Sequence, residues 1–389
     1  MHIPAEFDEI RPVADKDIRA NFEALLHDRM FMKVLKGFVP WAPKGLVRGF
    51  LRLTSVGVKS ALGFQKRYML LAMNILISRT TKRLTFDADV LPRQAGFTYL
   101  SNHRDIVLDA AMLDVLLIKA GFPNTVQIAI GDNLLVYPWI ERFVRMNKCF
   151  IVRRSLAKKD KLEASKQMSR YMHLVIDSKD DNIWIAQRNG RAKDSDDRTM
   201  PSLIRMLASG SDLPAVEAIK AMHIVPLTIS YEYDPCDYLK AKEFQQKRDN
   251  PNHQKSKQDD LDNMKEGIMG KKGRVHYACA EPIDQWLDTV AHLPEHELFE
   301  AVATHLDREI HKGYRLYATN YVAADLLENG QRFASHYSAD EQREFEAYLR
   351  RRIAKVDLPN PDEAYLRQCI LTMYANPLYN HLKAIGKDV

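Results

Sequence analysis

A chain of 389 residues, 46% hydrophobic and 28% charged, can bury a sizeable core, and its composition excludes a disordered or fibrous protein. Its four cysteines (Cys149, Cys236, Cys279, Cys369) are scattered, with no Cys-x-x-Cys pair and no histidine at ligand spacing. This argues against a zinc site or a disulfide frame and for a reducing compartment. The formal charge of +6 is modest, the first residues lack the layout of a signal peptide, and no apolar run approaches the roughly 20 residues needed to span a bilayer. The expectation is a protein that is not integral to a membrane but is free to lie on one.

Residues 1–28 are mixed and acidic and read as a short helical lead-in. Residues 29–86 then carry twelve Lys and Arg and no Asp or Glu. Phe31, Met32, Leu35, Phe38, Trp41, Leu46, Phe50 and Leu51 recur among them at spacings that put apolar side chains on one face of short helices, which Pro40 and Pro43 interrupt. A basic amphipathic segment with aromatics suits a helix lying in an anionic lipid surface. It equally suits a core-facing helix pair with a solvated basic face. Nucleic acid is not expected, because no nucleic-acid-binding motif accompanies the basic stripe.

From about 84 to 233 short β-like runs alternate with helical patterns. Strands are expected at 97–101, 125–130, 149–152, 183–186 and 224–231, and helices at 110–120, 139–146, 162–177 and 200–207. This alternation predicts an α/β fold with a largely parallel sheet, whose functional groups gather where the strands end. His103, Arg153 and Gly190 each closely follow one of these strands. Residues 234–274 are polar and charged, and read as an insertion, helical near 261–264, before a last strand at 275–280. Amphipathic helices then dominate, at 297–317, 340–356 and 363–374. The division expected is an N-terminal helical segment at 1–83, an α/β domain at 84–283 containing the insertion at about 234–274, and a helical region at 284–389.

Residues 99–109 hold the densest chemistry. An apolar run ending at Leu100 delivers Asn102 and His103 to a turn, with Asp105 and Asp109 just beyond. A histidine with a carboxylate behind it is the arrangement of a general base with an orienting partner. The same residues also suit a helix N-terminus at which Asn102 or Asp105 caps. His103-Arg104-Asp105 also opens the protein-kinase catalytic loop, but Ala110 stands where that loop needs Asn, and the other kinase signatures are absent.

Three further pieces follow: Gly131 with Arg153 and Arg154 about 20 residues on, then Arg188-Asn189-Gly190-Arg191-Ala192-Lys193, then Val225-Pro226-Leu227. With the Asn102-His103 block, in this order and approximate spacing, they resemble the four motif blocks of the glycerolipid acyltransferase superfamily, the glycerol-3-phosphate and 1-acylglycerol-3-phosphate acyltransferases. The resemblance covers roughly 84–233 and implies a glycerolipid-acyltransferase-like mixed sheet flanked by helices. It implies an O-acyltransferase of phospholipid synthesis that moves a fatty acyl group from acyl-CoA or acyl carrier protein, as co-substrate rather than cofactor, to a hydroxyl of a phosphorylated glycerol or lysophospholipid, without metal. His103 would be the base, oriented by Asp109 or alternatively by Asp105. Arg153 and Arg191 would hold the acceptor phosphate, with Arg154, Arg188 and Lys193 adding charge of the same sign, and the loop at Asn189 and Gly190 would face the oxyanion. Gly131 would permit a tight turn, and the Val225-Pro226-Leu227 strand would shape the acyl side. The implied location is cytoplasmic, peripherally attached to the inner face of a membrane.

Two departures stand out. Five residues separate His103 from Asp109, where the family has four, and Asn189 replaces a Glu before Gly190. They also suit a catalytically silent lipid- or acyl-binding relative. A thioester hydrolase using the same His103 is a further reading, against which the many cations speak.

Overall fold

Seven strands form one sheet among the described residues, in the spatial order β1-β7-β6-β2-β5-β3-β4. They are β1 (Thr81–Asp87), β2 (Thr98–Ser101), β3 (Val126–Gly131), β4 (Cys149–Val152), β5 (Asn182–Ala186), β6 (Ile224–Tyr231) and β7 (Gly273–Cys279). Neighbours run parallel, except that β7 is antiparallel to β6. The computed structural model describes residues 3–38, 41–157 and 159–387, so Pro40 and the side chain of Phe38 lie outside the described residues.

Parallel strands covered on both faces must be apolar on both, which is why β2 and β6 are buried end to end. Successive side chains alternate between the layers. Leu100, Ile183 and Ile224 pack with Tyr171, Val175, Ile204 and Leu306 on one side. Tyr99, Trp184 and Val225 pack with Met73, Leu113 and Leu117 on the other. The fold is α/β with a mixed, mostly parallel sheet, as the alternation predicts.

The sequence reading does not anticipate β1. Thr81, Lys82, Arg83, Leu84, Thr85, Phe86 and Asp87 look like the tail of a basic segment, because an edge strand stays half exposed and tolerates the charges that deter further pairing. The charged segment 234–274 is also more ordered than its composition suggests. It contains helices Asp237–Asp249 and Lys257–Met269. The first helix buries Asp237, Lys240 and Glu243, each against an opposite charge: Asp237 with Arg352 at 2.5 Å, Lys240 with Asp234, and Glu243 with Lys193. Buried charge survives only when paired, and such pairing leaves no apolar periodicity to read.

The last helix, Glu363–Ala384, runs on past the expected end at 374 and through Pro377. Proline removes one backbone hydrogen bond, but Tyr374, Ala375 and Leu378 around it are buried in the C-terminal core with Val322, Phe345 and Leu349. The N-terminal helices Ile18–His27, Arg29–Phe38 and Lys44–Ser55 pack around Phe22, Phe31 and Phe64. Trp41, Leu46, Phe50, Leu53 and Val56 remain exposed. Among the described residues no helix is long and apolar enough to cross a membrane.

Candidate active site

The site begins where β2 ends. Asn102, fully buried, accepts a hydrogen bond from the Ile229 amide at 2.8 Å and donates one to the Ile229 carbonyl at 2.9 Å. Its side chain thus prolongs the β2–β6 pairing by one step and fixes the following residue. His103 Nδ1 lies 2.8 Å from Asp109 Oδ2. The same oxygen accepts from the amides of Arg104 (2.7 Å) and Asp105 (3.0 Å), while the Tyr231 hydroxyl donates to Oδ1 at 3.3 Å. A buried carboxylate surrounded by donors acts as an acceptor, so Nδ1 carries the proton and Nε2 is free to accept one. The ring stands edge-on to Trp184 at 5.6 Å, and Trp184 is itself held by its indole N–H on Ser101 Oγ at 3.0 Å.

Asp105 is placed differently. Its Oδ1 accepts from the amides of Val107 (2.9 Å) and Leu108 (2.8 Å) and so opens the helix Leu108–Lys119. Burial, and then the nearby Asp109, push its carboxyl above the usual range. Geometry thus brings Asp109, not Asp105, to His103. The extra residue relative to the family spacing is absorbed in an irregular turn whose amides wrap the Asp109 carboxylate.

A cleft of about 920 Å³ opens in front of this pair. His103, Arg153, Arg154, Arg188, Asn189, Gly190, Arg191 and Lys193 all line it; Asp105 and Asp109 lie behind the wall. Apolar side chains, among them Met69, Met73, Val115, Ile118 and Phe143, line it as well. The cations are not equivalent. Arg153 is ion-paired with Glu9. Burial pulls Arg154 below its ordinary value, and Asp132 accepts from the amides of Arg154 and Ser155. Lys193 is paired with Glu243, which also takes Lys247 (2.9 Å) and Lys255 (2.8 Å). Burial draws Lys193 down to about 8. Arg191 bonds a neutral group, Asn263 Oδ1, at 3.0 Å, and its Nη1 is buried without a partner, as is Nε of Arg188. Gly190 holds φ at +74°, a left-handed conformation natural to glycine, which turns the loop back between the two arginines.

Two expectations need correction. Gly131 has an extended backbone, not a tight turn (φ −71°, ψ 136°); a Cβ there would crowd Asn133 and Arg154, so the need is for space. The Val225-Pro226-Leu227 strand does not shape the acyl side of the cleft. No residue of β6 lines it, and its contribution is the Ile229 backbone that pins Asn102. Sequence reasoning also missed Trp184, Tyr231, and Lys255, Asn263 and Met264 of the charged segment. Only Trp184 left a signal, as an aromatic within the expected strand at 183–186.

A family model described as Acyltransferase matches residues 83–230. No curated protein matches the chain. Among solved structures it is similar to the 1-acyl-sn-glycerophosphate (LPA) acyltransferase PlsC of Thermotoga maritima, at 11% identity and a TM-score of 0.36, over 73% of this chain and 98% of that one. The residues matched by the Acyltransferase model run from within β1 to within β6 and enclose the His103–Asp109 pair.

Proposed function

We propose that this domain transfers a fatty acyl group from a thioester, acyl-CoA or acyl carrier protein, to a hydroxyl of a phosphorylated glycerol or lysophospholipid. The observation that carries the reading is His103, fixed by Asp109 at 2.8 Å, in one cleft that cationic and apolar side chains also line. Nε2 of His103 takes the acceptor hydroxyl proton as that oxygen attacks the thioester carbonyl. The imidazolium formed is stabilised by Asp109. Amides of the loop around Asn189 and Gly190 face the developing oxyanion. Collapse of the tetrahedral intermediate breaks the C–S bond, and His103 returns its proton to the departing thiolate. The arginines hold the acceptor phosphate, for which the guanidinium fork is suited. The acyl chain lies along Met69, Met73 and Phe143.

A lipid surface is the natural home of such substrates. Trp41, Phe50 and Leu53 stand exposed beside Lys44, Arg48 and Arg52, which supports shallow burial in the anionic cytoplasmic leaflet. The test is product identification by mass spectrometry after incubation with a labelled acyl donor, vesicles, and glycerol 3-phosphate or lysophosphatidate. Acylated product from wild type and none from His103→Ala is expected. Equal turnover by the two would sink the mechanism.

A further inference from the structure

The charged segment between β6 and β7 returns to the cleft. Lys255, Asp260 and Met264 line the same cavity as His103. The helix Lys257–Met269 lies directly on the turn that follows the histidine: a Cβ at Gly267 would overlap Oδ2 of Asp105, so the helix can approach only because that position has no side chain. Asn263, buried on this helix, has its orientation set from both ends. Its Nδ2 donates to the Asp259 carbonyl at 2.8 Å, which leaves Oδ1 to accept from Arg191 at 3.0 Å.

The choice of a neutral amide has a consequence. A carboxylate at that position would neutralise Arg191; an amide oxygen aims the guanidinium and leaves its charge intact. The two arginines flanking Gly190, Arg188 and Arg191, both keep a buried nitrogen without a partner. Lys255 also lines the cavity, sharing Glu243 with Lys193 and Lys247 and lying 3.9 Å from Asp260, so three ammonium groups meet two carboxylates. Arg188, Arg191, Lys193 and Lys255 therefore outnumber Glu243 and Asp260 in this part of the cleft.

We infer that residues 255–264 form a wall of the acceptor subsite, with Asn263 as the positioning residue for Arg191 and Lys255 as a second cationic contact for a phosphate-bearing acceptor. The inference rests on the reading that the acceptor's anionic group occupies the Arg188–Arg191 end. It gives this segment the task of selecting the acceptor, while the donor's acyl chain lies against the apolar lining.

Calorimetric binding of inorganic phosphate and of lysophosphatidate to the full chain, with palmitoyl-CoA as the donor probe, tests it. Asn263→Asp should weaken both phosphate ligands about tenfold or more, and Lys255→Ala about threefold to tenfold, with palmitoyl-CoA binding changed by less than about twofold. Lys255 is partly exposed, so Lys255→Ala keeps the test open if the Asn263 variant fails to fold. Met269→Ala, on the exposed end of the same helix, should bind as wild type. Wild-type binding of phosphate ligands that neither variant alters, or no binding by wild type, overturns the inference. Binding that depends on Asn263 and Lys255 in a chain with no acyl transfer would sustain it while the catalytic proposal falls.

Discussion

The guanidinium of Arg104 lies 2.7 Å from the carboxylate of Asp197, with both side chains out of solvent. The backbone amide of the same Arg104 donates to the Asp109 oxygen that holds His103. The Tyr314 hydroxyl, donating to Asp197 at 3.0 Å, closes the cluster from the C-terminal region. Two distant segments thus converge on the turn that presents the histidine, and one of them, at Tyr314, lies beyond the family-matched residues.

Replacing Arg104 with Met leaves Asp197 buried and unpaired. Truncating one partner of a buried ion pair costs about 3–5 kcal/mol, so Arg104→Met should lower the urea-unfolding free energy by that order and reduce kcat as the His103 turn loosens. Adding Asp197→Asn should recover part of the stability. If Arg104→Met unfolds at the wild-type urea concentration, the pair contributes nothing.

The two aspartates near His103 should separate cleanly. Asp109→Asn disturbs the tautomer and orientation of the imidazole, and kcat should fall about 10²- to 10⁴-fold with little change in acceptor KM. Asp105→Asn retains a helix-capping side chain, so kcat should stay within about fivefold of wild type. Steady-state kinetics giving the reverse order would reassign the partner.

Lys193 supplies a pH dependence. Burial lowers it to about 8, so it is cationic below that pH and neutral above. A phosphate acceptor should bind more weakly as pH rises from about 7 to about 9, seen as a rising acceptor KM. Lys193→Met should show a raised KM throughout and lose that rise. A pH-independent wild-type KM across this window would remove Lys193 from the subsite.

The exposed apolar face of the N-terminal helices should govern lipid binding. Trp41 is 83% and Leu53 75% exposed, so substituting both, together with Phe50, by Ser should leave the thermal midpoint nearly unchanged. Partition onto anionic vesicles, followed by co-sedimentation, should fall by more than about tenfold, since each methylene withdrawn from lipid forfeits about 0.8 kcal/mol. Undiminished partition would place the membrane contact elsewhere.

Much of this was legible locally. β2, β5 and β6 betray themselves because strands covered on both faces must be nearly continuous apolar runs, and β4 is apolar as well although it lies at the edge. The loops that follow β2, β4 and β5 collect His103, Arg153 and Gly190 because a parallel sheet directs its chain reversals to one end. β1 was not legible, because an edge strand is free to be polar. The sequence reading favours Asp109 and keeps Asp105 as the alternative; the path of the backbone between them is what turns the Asp109 carboxylate onto His103.

Sequence alone therefore determined the alternating fold, the place of His103 just beyond a strand end and the clustering of cations, all of which follow from patterns within a few residues of each other. Tertiary structure decided which cations are already neutralised, as Arg153 is by Glu9, and which keep their charge, as Arg191 does against Asn263. It also decided that Asp197 and Tyr314 brace the histidine turn through Arg104. The physical reason is that electrostatic pairing acts through space at 3–4 Å, between side chains tens to hundreds of residues apart, and leaves no periodic trace along the chain.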